Sequence, residues 1–581
     1  MKKRFQSPLL LGVLLFMILL AACRNGQTPD ETAPVTDGAA TEQTSAVTDA
    51  GTDAETEPDD KPPVLTGWFD YGSALYLRDK FTPGDKREIA IQMARNETEG
   101  FQYLVTADRD VEGLRCDVTP LSDGEGHTLE GTVNVVWYTW VDHTDNIHEF
   151  MRFYPVAMLP MDDSYQGGSF RVTADTCRTL YVSFRTDKDT VPGTYQGELT
   201  VSKDGQTLLS GGVSVRVRDV YYDEKTECLT MMGLGYDKED TNQAVPPGPD
   251  SAPALGGQQA SGTFVNRELL VEYAEYLLDN RFCTTWLPFQ SGLFESDFDA
   301  VKRFLDSPRC TSVNISPVNL PQAYQIVTEN GWMDKIYFAL FDEPHEEGHF
   351  QYMLGRAREI AALFPTTHFL DAFGVNLSDG SRNIVERMSD YTTSYCANTI
   401  AFNGEIRDSM LRLKAERGDT LFWYVCGSQT METINALPCT PGTDKRVLFW
   451  QQYQQNVDGF LYWSVTHWNI STDVWVENYE NQKFPFPKPN GPPTDDGILI
   501  YWHPVTKKPV PTLGFEAMRD GVEDFQLFRM VEAKLGRDAV IPYIEQITTG
   551  PESYIRYEDG STELLNRIRG ELFDLLEAEG R

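Results

Sequence analysis

Basic residues are in short supply: 50 Lys and Arg stand against 87 Asp and Glu, for a formal net charge of −37. A nucleic acid or an anionic membrane surface would repel such a chain, so neither is expected to bind its folded part. Histidine is sparse too, at 8 in 581 residues. His345, His349 and His467 form no convincing ligand set, so neither a metal nor an organic cofactor is expected. No two of the 9 cysteines make a C-x-x-C pair, which argues against a zinc ribbon or a thioredoxin-like site. Export would permit disulfides without demanding them, and Cys116, Cys177, Cys228, Cys283, Cys310, Cys396, Cys426 and Cys439 are expected to be mostly buried thiols. The apolar run at residues 9–20 is too short for a stable membrane span. Residues 24–63 contain no aromatic residue, and a segment so poor in apolar surface cannot offset its ordering entropy.

What is present at the amino terminus reads as an address. Lys2, Lys3 and Arg4 precede the apolar run, which ends in Leu20-Ala21-Ala22-Cys23. That tetrapeptide resembles a bacterial lipoprotein cleavage box. Residues 1–22 are therefore expected to be a signal peptide and Cys23 the acylated first residue of an extracytoplasmic, lipid-anchored protein. Simple secretion with cleavage after Ala22 is the alternative. Residues 23–63 would then be a disordered tether, extended by its own acidic repulsion.

With 41% hydrophobic residues the remaining chain can bury large cores, and its length calls for two or three domains. Residues 64–222 show short alternating segments and turn signals, such as Phe101-Gln102-Tyr103-Leu104-Val105 and Thr179-Leu180-Tyr181-Val182-Ser183-Phe184. That pattern predicts an antiparallel β-sandwich. Beyond residue 223 the rhythm changes to strands alternating with amphipathic helices. Strand candidates at 229–233, 284–287, 311–315, 335–341, 368–373, 391–396, 420–426 and 459–463 predict a (β/α)8 TIM-type barrel over 223–510. Helices at 515–534 and 562–577 make an additional carboxyl-terminal region, 511–581, packed on that barrel.

Residues 335–345, KIYFALFDEPH, draw attention because a nearly unbroken apolar run stops at Asp342-Glu343-Pro344. Proline cannot donate to a ladder and biases Glu343 away from helix, so both acids are expected just past the strand's carboxyl end, the catalytic face of a parallel barrel. Glycosidases pair two carboxyls about 5 Å apart in retaining enzymes and about 6.5 to 9.5 Å apart in inverting ones, reaching across the bond from separate elements. Consecutive acids are poorly placed for that. They suit substrate assistance, in which the sugar's 2-acetamido oxygen attacks and one carboxylate steadies it. The alternative is structural: Asp342 caps the next helix and Glu343 is solvated.

Aromatic residues follow the same geography. Trp423 and Tyr424 lie near the end of one strand candidate, and Trp463 and Trp468 flank the end of another. Each is either a sugar-stacking platform or core packing. Tyr395 ends the 391–396 run as an acetamido contact or a core tyrosine, and His467 is placed to meet a hydroxyl. Arg519, Asp520, Glu523 and Asp524 are read as pairs and caps along one helix.

These residues resemble a known family. Ala94-Arg95-Asn96-Glu97, Phe101-Gln102 and Pro192-Gly193-Thr194-Tyr195-Gln196-Gly197 are similar to the sandwich of glycoside hydrolase family 123. Arg446-Val447-Leu448-Phe449-Trp450, Gly459-Phe460-Leu461-Tyr462-Trp463, Asp496-Gly497-Ile498-Leu499-Ile500-Tyr501 and the run from Glu516 to Asp524 resemble the accompanying domain of unknown function 4091. Val156 departs from the acid often found after Tyr-Pro. The resemblance implies retaining exo-β-N-acetylgalactosaminidase activity on glycans ending in an N-acetylhexosamine. It makes Glu343 the acid and base, with a pKa raised by partial burial or by Asp342, and Asp342 the group that holds the acetamido nitrogen. Competing readings are double displacement with a distant nucleophile such as Glu477, and a non-catalytic glycan-binding lipoprotein.

Overall fold

The computed structural model describes residues 62–144, 149–234, 267–285, 298–315, 319–344, 346–364, 368–374, 384–427, 429, 432–466, 496–556 and 560–578. The expectations for the signal, Cys23 and the tether, and those for His467, Trp468 and Glu477, lie outside these residues.

The alternating amino-terminal segments form two sheets. In the first, β1 (Leu65–Tyr71), β3 (Thr98–Ala107), β10 (Cys177–Arg185), β7 (Gly131–Thr144) and β8 (Glu149–Pro160) lie side by side and antiparallel. The second runs β2 (Glu88–Arg95), β12 (Gln206–Tyr221), β11 (Gly193–Lys203), β4 (Val111–Val118) and β9 (Phe170–Val172). Its short strands β5 (Leu121–Ser122) and β6 (Thr128–Leu129) attach beside β11. The β2 and β12 pair is parallel, an exception among the otherwise antiparallel pairings described in this domain. Side chains alternate along each strand, so Ile89, Ile91 and Met93 of β2 meet Phe101, Tyr103 and Val105 of β3 and Tyr195, Leu199 and Val201 of β11 in one core.

Two sequence motifs acquire physical reasons here. Asn96 turns the chain from β2 to β3 at φ 60°, a left-handed conformation that asparagine tolerates better than most residues. Tyr195 donates its hydroxyl to Val191 O at 2.7 Å, closing the turn before β11. Val156 explains itself as well. With Tyr154, Ala157 and Leu159 of β8 it is buried in the large core shared with the following region, where an unpaired acid would be costly.

That region is built from parallel strands: β13 (Leu229–Met232), β14 (Val313–Ile315), β15 (Ile336–Phe338), β16 (His368–Phe369), β17 (Ala372–Phe373), β18 (Ser394–Asn398), β19 (Thr420–Tyr424) and β20 (Gly459–Tyr462). Helices α1 (Arg267–Asp279), α2 (Phe298–Asp306), α3 (Leu320–Asn330), α4 (Glu347–Ala361), α5 (Ile384–Met388), α6 (Gly404–Arg417) and α7 (Gly442–Gln454) intervene. Pairing runs β13, β20, β19, β18, β17 in one sheet and β14, β15, β16 in another. The two sheets are joined along the chain between β16 and β17. They are joined again where Thr285 donates to Met232 O at 2.9 Å and accepts from Asn314 N at 2.8 Å. Of the 284–287 candidate, Thr284 is described as an isolated bridge to Met232. Met231, Tyr337, Leu370, Cys396, Phe422, Tyr424 and Leu461 face inward as one cluster. Their chain neighbours pack outward against the helices.

The carboxyl-terminal segment adds α8 (Leu513–Leu535), α9 (Ile541–Ile544) and α10 (Ser561–Glu577). The intrahelical pairs read from the spacing are present on α8, Arg519 meeting Glu516 and, at 3.8 Å, Glu523, but they do not stand alone. Arg519, Asp520, Glu523 and Asp524 are all buried, and most of their partners come from elsewhere. Arg446 of α7 binds Asp524 at 2.7 Å, Glu99 of β3 at 3.0 Å and Asp520 at 3.3 Å. Arg569 of α10 binds Asp524 and Glu99, each at 2.6 Å, and Glu97 more closely still. Arg281 reaches Glu523 at 3.2 Å. This network ties sandwich, parallel strands and terminal helices together.

Of the eight cysteines among the described residues, seven are buried and Cys426 is half-buried.

Candidate active site

Three consecutive strand residues, Ile336, Tyr337 and Phe338, carry the chain to the mouth of the parallel strands. The strand is shorter than the apolar run suggested, because the chain leaves the ladder at Ala339. Phe341 stacks on His349 of α4 at 4.1 Å between ring centroids, and Pro344 is buried. Between these anchors Asp342 and Glu343 stand exposed. Neither caps α4, whose N-cap is Glu346 and receives no side-chain bond.

Glu343 adopts φ 43°. A non-glycine residue held there stores roughly 1–3 kcal/mol and persists only when its surroundings impose it. The surroundings are visible. Glu343 N donates to Ala372 O at 2.8 Å, and the Tyr424 hydroxyl donates to Glu343 Oε1. A Cβ on Gly374 would lie 3.0 Å from that same Oε1, so a larger residue at the end of β17 would crowd the carboxylate. The turn at Glu343 also breaks the strict alternation of an extended chain, freeing the two acids from pointing to opposite sides.

The electrostatics single out Asp342. Asp342 keeps a solvent-accessible face, but the protein packed around its carboxyl, with the Glu343 charge adding to it, raises that carboxyl to about 6. The expected burial of Glu343 is not found, since its side chain is exposed. Burial, the Glu343 charge and the bond to it all push the Tyr424 phenol upward, so Tyr424 stays a donor.

The aromatic candidates separate by strand alternation. Tyr424 faces inward and touches Glu343. Trp423, its neighbour, faces the helices, fully buried, and donates Nε1 to Gln452 of α7 at 3.1 Å. The expectation that Trp423 lines the pocket is thereby corrected to core packing. Tyr395 is corrected in the same way. It lies in the outward core with its phenol near Asp419, ahead of β19 and away from the acids. Trp463 follows β20 and is 42% exposed.

Sequence reasoning passed over several groups at these strand ends. Gln429 donates to Asn398 Oδ1 at 2.9 Å and accepts from Cys426 N at 2.8 Å, tying β18 to the end of β19. Asp496 accepts from the Tyr462 hydroxyl at 2.8 Å. Asp371 lies buried between β16 and β17. It carried a signal, as an acid interrupting the apolar run His368-Phe369-Leu370-Asp371-Ala372-Phe373. Among the described residues no three His, Cys, Asp or Glu side chains gather as a metal site, and no helix is long and apolar enough to cross a membrane.

Residues 312–531 match the family model described as "Glycoside hydrolase 123, catalytic domain". A family 123 glycoside hydrolase from Clostridium perfringens, described for its hydrolysis of glycolipid glycans, superposes with a TM-score of 0.61 at 13% identity. The alignment covers 88% of this chain and 98% of that one, and it establishes a shared fold. A family 5 xyloglucanase from Bacteroides ovatus aligns at 11% identity over 75% of this chain and 98% of its own, with a TM-score of 0.24. A family 39 hydrolase from Bacteroides cellulosilyticus WH2 aligns at 10% identity over 70% and 80%, with a TM-score of 0.27. Superpositions that poor support no conclusion. No curated protein matches the chain. Residues 312–531, with Asp342 and Glu343 among them, are thus the part of the chain that is similar to a glycoside hydrolase family 123 catalytic domain.

Proposed function

We propose that this protein is a retaining exo-glycosidase that removes terminal β-linked N-acetylhexosamine, N-acetylgalactosamine foremost, by substrate assistance. The observation that carries this reading is the pair Asp342 and Glu343, consecutive at a strand's carboxyl end within the part similar to a family 123 catalytic domain and held there by Tyr424 and Ala372. Glu343 protonates the glycosidic oxygen while the acetamido oxygen closes on the anomeric carbon. Asp342 accepts the acetamido N–H and steadies the positive charge of the oxazolinium-like intermediate. Glu343, now a carboxylate, takes a proton from the water that reopens it. The strand pairings support reading the parallel sheets as a (β/α)8 barrel with this pair at its catalytic mouth. The glycolipid glycans acted on by the clostridial enzyme, together with a lipid anchor on Cys23, suggest a substrate displayed at a membrane.

A panel of aryl glycosides with and without the 2-acetamido group tests the reading. Preference for the acetamido sugars should be on the order of 10³-fold or more, because the intramolecular nucleophile is lost without it. Equal rates on the parent galactoside would favour double displacement, and no turnover on any member would favour a binding protein.

The pH profile follows from Asp342. Its carboxylate form is the one that stabilises the intermediate, and that form prevails above about pH 6. Activity should therefore rise with pH through about 6 and fall about tenfold per unit below it. In Asp342→Asn that limb should vanish, whatever rate remains.

A further inference from the structure

The ladder between β15 and β16 does not end as parallel ladders usually do. Leu370 N donates to Phe338 O at 2.9 Å, and the next bonds would ordinarily run from backbone to backbone. Instead Asp371 turns its side chain into the ladder. Its Oδ1 accepts from Phe341 N at 2.9 Å and from Leu340 N more closely still. One residue later the backbone resumes, with Ala372 O accepting from Glu343 N at 2.8 Å. Three amides of the segment that bears the two acids are thus fastened to two consecutive residues of the neighbouring strand.

Asp371 has no other visible employment. It is 7% exposed, and its Oδ2 has no hydrogen-bond partner among the described residues. A buried carboxyl with one oxygen unpaired is costly and is not kept for packing alone. Burial pushes it up to about 7, with the two amide bonds opposing and the Asp342 charge adding. Cys396, facing inward on β18, feels the charges of both Asp342 and Asp371 on top of its burial, which places the two carboxyls around the same spot.

We infer that Asp371 is a positioning residue, its carboxyl replacing a backbone carbonyl to clamp the peptide that presents Asp342 and Glu343. The inference rests on the proposed hydrolytic role of those acids. The clamp itself can be read without catalysis.

The experiment combines hydrogen exchange with kinetics on the full chain. In the wild type, the amides of Leu340 and Phe341 should exchange as slowly as those of β15, although they lie beyond its end. Exchange at loop rates would overturn the clamp. In Asp371→Ala the peptide spanning 336–344 should lose that protection, with kcat falling about 100-fold and KM changing less than about threefold, as expected when geometry rather than affinity is lost. Asp371→Asn keeps an oxygen acceptor for both amides and should restore the protection and bring kcat to within about fivefold of wild type. A folded Asp371→Ala with full kcat, or an Asp371→Asn as impaired as Asp371→Ala, would refute the role. Should the wild type hydrolyse no glycoside, the proposed function fails, while the exchange rates still decide whether the clamp exists.

Discussion

Glu343→Gln is expected to lower kcat on a glycan with a poor leaving group by about 10³- to 10⁴-fold, the upper range for loss of a general acid and base. The same change should cost less on an aryl glycoside, whose leaving group needs little protonation. Asp342→Asn keeps the acetamido group in place but removes the charge opposite the intermediate, and a loss of about 10²-fold is expected. Both side chains are exposed and neither caps a helix, so thermal unfolding should be unchanged within about 0.5 kcal/mol. Steady-state kinetics beside thermal scans separate these outcomes. Full rates in both variants on an aryl N-acetylgalactosaminide would end the assignment.

The largest effect on stability is expected from Arg446. Its guanidinium is enclosed by Glu99, Asp520 and Asp524, and every member is at most 6% exposed at its side chain. Burial works against the charge of Asp524, but Arg446 and Arg569 outweigh it and hold the carboxyl below its ordinary value. Glu97, by contrast, is pushed by burial up to about 8 despite Arg569, with Glu523 and Glu99 adding to the rise. The network therefore already carries more acid than its arginines can neutralise. Arg446→Met would leave buried carboxylates without their partner, a change that costs about 3–5 kcal/mol. Because Glu99 belongs to the sandwich and Asp524 to α8, the loss should loosen one against the other. Limited proteolysis between them and a lowered urea midpoint are the readouts. Pairing Arg446→Met with Asp520→Asn and Asp524→Asn should recover part of the loss, since apolar or neutral replacements of whole buried ion clusters are far better tolerated than half of one.

What the sequence disclosed and what it hid have physical reasons. The acid pair was legible because Pro344 marks the end of an apolar run whatever the tertiary structure does. The helices at 515–534 and 562–577 were legible because their apolar period is local, and α8 and α10 match them to within a few residues. The choice between Trp423 and Tyr424 was not legible. Neighbouring strand residues face opposite ways, and which one faces inward depends on register with β18 and β20. Arg519 and Glu523 have the i, i+4 spacing of an ordinary helix pair, whereas the contacts of Glu523 with Arg281 and Thr98 of β3, and of Asp520 with Arg446 of α7, arise only in the folded chain. The role of Asp371 within the 368–373 run was not legible because its partners, Leu340 and Phe341, lie 31 and 30 residues away along the chain.

The most direct test of the account is the rate on a series of aryl N-acylgalactosaminides whose acyl methyl carries zero to three fluorines. If the acyl oxygen is the nucleophile steadied by Asp342, kcat/KM should fall steeply with each fluorine, by on the order of 10³-fold or more across the series, because the oxygen loses electron density at each step. A flat series, with the trifluoroacetyl sugar cleaved as fast as the acetyl one, would contradict it.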